Sequence, residues 1–65
     1  MNELDVLNEA LYALERGKLS EAYQLLDLCY SPYADRAVEE LEKGEDDSAA
    51  IAAYWVRTAI EDLEG

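Results

Sequence analysis

Apolar residues in this chain return every three or four positions almost throughout, and that periodicity excludes most folds. Leu4, Leu7, Leu11 and Leu14 follow a 3-4-3 rhythm that lays them along one face of a helix over about residues 3–16. Asn2 stands where an N-cap side chain is needed, and Gly17 supplies the left-handed residue that ends a helix. Ser20 is placed to cap a second, shorter helix, with Ala22, Leu25, Leu26 and Cys29 on or near its buried side. Ser31-Pro32 opens a third helix, with Ser31 as N-cap and Pro32 at the first helical position, where a missing N–H removes nothing. Ala34, Ala37, Val38 and Leu41 carry its stripe up to Gly44. A final helix runs from about Asp47 to Leu63, with Ala52, Trp55, Val56, Ala59, Ile60 and Leu63 facing inward. No run alternates with period two and no hairpin dipeptide occurs. The expected fold is all-α: a single helical domain over residues 1–65, built as a compact bundle of about four short helices.

The chain also echoes itself. "LERG" at 14–17 and "LEKG" at 41–44 each close a helix, 27 residues apart, which predicts two stacked helical hairpins. "ALERGKLSEAYQLL" resembles the turn of a tetratricopeptide repeat, although the spacing departs from the 34 residues of that family and later signature positions are missing. That resemblance implies a protein-interaction adaptor.

Size restricts how such a bundle can be held. A core in a chain of 65 residues rarely supplies more than about 3–5 kcal/mol without a staple. With one cysteine and no histidine, neither an internal disulfide nor a Cys/His zinc site is expected. Sixteen acids against five bases give a net charge of −11, which works against compactness. The apolar fraction of 51 % is nevertheless too high for a disordered acidic tail. Phosphate surfaces repel such a chain, so direct binding to nucleic acid or an anionic membrane is not expected. No stretch reaches the ~20 apolar residues of a membrane span, and no basic start leads into a signal peptide. The expected location is the cytoplasm.

Catalysis is not expected either. The best general base, histidine, is missing, and Cys29 sits on an apolar face as a small hydrophobe. The three glycines are isolated, so no phosphate loop exists. "EKGEDDSAAIAA" lacks the ligand pattern of a calcium loop. The enzymatic alternative is a carboxylate–magnesium site. Glu39 with Glu42, and Glu61 with Glu64, each stand one helical turn apart, a spacing similar to that of all-helical nucleotide pyrophosphohydrolases. No cofactor or metal is otherwise expected.

The acids themselves are the remaining signal. "VEELEKGEDD" places Glu39, Glu40, Glu42, Glu45, Asp46 and Asp47 within nine positions, opposed only by Lys43. Glu39–Lys43 has the favoured order for a helical ion pair, while Arg36–Glu40 and Arg57–Glu61 have the weaker one. Glu39, Glu40 and Glu42 close the third helix and Glu61, Asp62 and Glu64 the fourth, where the dipole opposes negative charge by about 0.3–1 kcal/mol each. Carboxylates three and four residues apart lie about 5–6 Å from each other, near the separation of phosphates along a strand. In size, charge and helicity the whole chain resembles the small acidic inhibitors encoded by phages and mobile elements, namely anti-restriction and anti-CRISPR proteins, and among them type I anti-CRISPRs more than the longer anti-restriction class. No residue motif carries this likeness.

The resemblance implies a DNA mimic that occupies the basic site of a nucleic-acid-binding protein, such as the Cas subunit that reads the motif flanking the target, in the cytoplasm of a host cell. The expected contact residues are Glu39, Glu40, Glu42, Glu45, Asp46 and Asp47, with Glu61, Asp62 and Glu64 as a second group. Tyr30 and Tyr33, flanking the Ser-Pro turn, are candidate anchors. Tyr12, Tyr23 and Tyr54 are expected to edge the core with their hydroxyls in water, and Trp55 to pack within it.

Overall fold

A computed structural model describes residues 2–65. Among them the chain forms α1 (Glu3–Glu15), α2 (Leu19–Leu26), α3 (Pro32–Lys43) and α4 (Ser48–Glu64), with no strand. None of these helices is long and apolar enough to cross a membrane.

Local chemistry sets most of the boundaries. Asn2 Oδ1 accepts from the Asp5 N–H at 2.9 Å, and Ser31 Oγ accepts from the Tyr33 N–H at 3.2 Å ahead of Pro32. Gly17 adopts φ +75°; its N–H returns to the Leu14 carbonyl and the Lys18 N–H to the Ala13 carbonyl, the double closure of a Schellman motif. Gly44 repeats the left-handed turn at φ +63°, and its N–H returns to the Leu41 carbonyl. One residue later the echo ends, because the Glu45 N–H donates to Ser48 Oγ at 2.9 Å instead of closing back on α3.

Ser20 does not cap α2. The Schellman closure engages Lys18, whose carbonyl already accepts from the Ala22 N–H, so α2 starts at Leu19 and Ser20 lies exposed within it.

The helices pack as two hairpins, α1 with α2 and α3 with α4, joined mainly where α1 meets α4 and less extensively where α2 meets α3. Tyr23 of α2 reaches the end of α3 at Glu42, and Leu14 and Glu15 of α1 share a groove with Ala49 and Ala53 of α4. Neighbours therefore run antiparallel all round. One end of the bundle, the glycine end, carries the turns at Gly17 and Gly44. The opposite end, the connection end, carries residues 27–31 together with the first turn of α1 and the last turn of α4. The Cα atoms span 31 × 17 × 16 Å.

The core is narrow. Its fully buried large side chains are Leu7, Leu26 and Val56; around them Ala10, Ala22, Ala34, Ala37, Ala52 and Ala59 let the helices approach closely. Leu11, Leu25, Val38, Leu41 and Ile60 are partly covered. Leu63 departs from the expected stripe and is exposed, because α3 has run out alongside the last turn of α4.

Replacing Gly17 with Ala forces a Cβ into left-handed backbone, and this should destabilise the fold by about 1–2 kcal/mol. Thermal unfolding followed by circular dichroism should register a drop of several degrees for Gly17→Ala and almost none for Ser20→Ala.

Candidate functional site

The acidic surface is best built helix by helix. On α3, Asp35, Glu39 and Glu42 are exposed at i, i+4 and i+7, so they form one row. Glu40 lies on the other flank, the one that carries Tyr33 and Arg36 toward α4, and it is partly buried. Glu45, Asp46 and Asp47 fill the turn before α4; Asp47 occupies its N-cap position without a side-chain capping bond. On α4, Glu61 and Glu64 share the outer face with Tyr54 and Arg57, and Asp62 sits on the flank of Trp55.

The antiparallel hairpin separates the two expected groups. Residues 39–47 lie at the glycine end and residues 61–64 at the connection end, about 20 Å apart along α4. The structure does not merge them into one patch. It adds Asp35 to the first row, and brings Glu3, Asp5 and Asp27 to the end that holds Glu61, Asp62 and Glu64. The sequence signal for these additions is weak, since each acid stands apart from the dense run.

None of the three expected helical ion pairs forms. Lys43 Nζ pairs with Glu40 at 2.9 Å rather than with Glu39. Arg36 turns to the Trp55 ring, 5.4 Å from its centroid, instead of to Glu40. Arg57 crosses to Glu15 of α1 at 3.6 Å instead of Glu61. Arg16 lies 5.1 Å from the Tyr12 ring centroid and donates to its hydroxyl. A guanidinium over an exposed indole or phenol face gains about 0.5–1 kcal/mol of cation–π attraction, the same order as an exposed ion pair, so the aromatic rings compete with the carboxylates for Arg16 and Arg36. Among the described residues, two of the sixteen acidic side chains are ion-paired.

Hydrogen bonding reaches a third acid. The Tyr23 hydroxyl donates to Glu42 Oε2 at 3.1 Å, and this bond, with the charges of Glu42 and Asp27, pushes the phenol pKa up. Glu40 likewise holds the Lys43 ammonium above its ordinary value. Cys29 is buried, its Sγ–H donating toward the Leu25 carbonyl; burial, then Glu3, push the thiol up, away from nucleophile chemistry.

The aromatics divide clearly. Tyr33 stacks on Trp55 with centroids 6.1 Å apart, and Tyr54 meets Trp55 edge-on at 5.2 Å. Tyr33 is thus half-buried in the α3–α4 seam, whereas Tyr30 is free of the core. A groove of about 370 Å³ between α1 and α2 is lined by residues including Tyr12, Ala13, Arg16, Glu21 and Leu25. Among the described residues no three Cys, Asp or Glu side chains converge as metal ligands, so Glu39/Glu42 and Glu61/Glu64 remain separate pairs.

Comparison with family models, curated proteins and solved structures finds no match to this chain.

Fixed like charges with little pairing should make the fold more stable as salt screens them. Raising NaCl from about 20 mM to 0.5 M, well past the point where the Debye length falls below ~10 Å, should raise the Tm; a fall would mean that attractive pairs dominate. Tyr23 and Lys43 both have raised folded pKa values, so what they contribute is complete below their unfolded values near 10 and is lost as pH rises through the folded ones. Alkaline melts above about pH 10 should therefore be shallower for Tyr23→Phe than for the parent chain.

Proposed function

We propose that this protein acts by binding, as an acidic inhibitor that mimics nucleic acid and occupies the basic site of a DNA-binding protein. The target class is the subunit of a type I CRISPR surveillance complex that reads DNA at the motif flanking the target, in the cytoplasm of a host cell. The supporting observation is that most of the acids stay unneutralised on a folded helical body. Two of sixteen are ion-paired among the described residues, while Arg16 and Arg36 are drawn onto aromatic rings.

Magnitudes agree with this reading. A duplex as long as the 31 Å body carries about 18 phosphates; the chain presents sixteen carboxylates on a cross-section of 17 × 16 Å. The row Asp35, Glu39, Glu42, continued by Glu45, Asp46 and Asp47, is the main contact, with Glu61, Asp62 and Glu64 as a separate second one. Glu40 contributes less, because Lys43 already neutralises it.

A second reading keeps the tetratricopeptide-like hairpin as a peptide adaptor. It is favoured by the groove between α1 and α2, which carries Tyr12 and Ala13. The carboxylate–magnesium reading lacks a converging ligand set among the described residues.

A competition assay separates these. Labelled duplex bound to the candidate DNA-reading subunit should be displaced by this protein, and displacement should weaken at least about tenfold between 50 and 200 mM salt. The combined change E39Q/E42Q/E45Q/D46N/D47N should abolish displacement while the helical spectrum persists. Displacement that ignores salt and these changes would remove mimicry, and its loss on Tyr12→Ala alone would favour the adaptor.

A further inference from the structure

The connection end combines features that neither the bundle's stability nor charge mimicry uses. Residues 28–31 alternate outward and inward: Cys29 and Ser31 are buried, while Leu28 is 66 % and Tyr30 92 % exposed. The segment is tied down. The Leu28 and Cys29 N–H groups return to the Leu25 and Leu26 carbonyls, and Ser31 caps α3. Leu28 and Tyr30 are thus held outward by anchored backbone. Leu63, 47 % exposed, lies at the same end in the last turn of α4. At the same end stand Glu3, Asp27, Glu61, Asp62 and Glu64; Arg57, one turn before Glu61, is engaged by Glu15, and Arg36 is turned onto Trp55.

We propose that this end is a protein-docking surface, in which Leu28, Tyr30 and Leu63 enter apolar cavities of a partner and the surrounding carboxylates meet its Arg and Lys side chains. The proposal rests on the basic partner of the reading above and adds the apolar contact that gives it specificity. Charge complementarity selects the occupant. A second copy would bring the same carboxylates face to face without a counter-charge, and a nucleic acid would be repelled. A basic protein surface satisfies both the rim and the anchors. An exposed tyrosine held outward also matches the aromatic enrichment of interface hot spots.

Two equally charged peptides test it, one of alternating Arg and Leu and one of alternating Arg and Ser. In ¹⁵N spectra of the full chain, the Arg-Leu peptide should shift amides at 27–31 and 60–65. It should also bind at least about fivefold tighter than the Arg-Ser peptide, a difference of the size of one buried apolar contact. The double variant L28S/Y30S, whose side chains touch little of the core, should keep its helical spectrum and bind both peptides equally. Equal binding by the parent chain, or Arg-Leu shifts centred on residues 39–47, would overturn the proposal. Sedimentation showing a dimer that L28S/Y30S dissolves would overturn it too, in favour of a second copy. Displacement of DNA by L28S/Y30S at parental strength would sink docking and leave mimicry standing. A retained Arg-Leu preference in a protein that displaces no DNA would do the reverse.

Discussion

The bundle depends on how closely its helices approach one another. Leu7, Leu26 and Val56 are the large side chains fully removed from water, and each contributes about 1.5–3 kcal/mol. So small a sum can hold the chain only if the rest of the seam is dense. The buried alanines make that possible, since a methyl group lets two backbones sit near the short end of the usual 8–10 Å separation. The αL closures at Gly17 and Gly44 then turn each hairpin tightly enough to keep those seams in register.

This narrow core has an electrostatic consequence. Nearly all of the surface is solvated, and the acids occupy it with little pairing. Two of the five bases are drawn onto aromatic rings, Arg16 to Tyr12 and Arg36 to Trp55, while Arg57 crosses the α1–α4 seam to pair with Glu15. The result is a small helical body with an anionic shell and self-repulsion that the core must overcome. A sequence optimised for stability alone would place Lys or Arg in the last turns of α1, α2 and α4, and none stands there. That arrangement is coherent for a surface that meets positive charge.

The aromatic residues complete the division between holding and contacting. Tyr33, Tyr54 and Trp55 form one cluster that closes the α3–α4 seam, so Tyr33 is a structural contact before it is an anchor for anything else. Tyr30, two residues before Pro32, takes no part in that cluster. Backbone alternation sends it outward while its neighbours Cys29 and Ser31 turn in.

The helices, the caps at Asn2 and Ser31 and the stops at Gly17 and Gly44 were legible in the residues, because capping, left-handed turns and apolar periodicity act over a few positions. The four-helix all-α fold followed from them. Local reasoning failed where a distant group competes. Ser20 lost its capping role to the Schellman closure through Lys18, and Leu63 lost its cover because α3 begins short of it. The helical ion pairs lost their bases to Trp55, Glu15 and Glu40. The residues alone set out 39–47 as a main group and 61–64 as a second one, without fixing which of these acids share a face. Antiparallel pairing of α3 and α4 decided that, sending them to opposite ends, with Glu3 and Asp27 at the end of the second group. Composition sets the amount of charge, but only the packing of one helix against another determines which charges become neighbours.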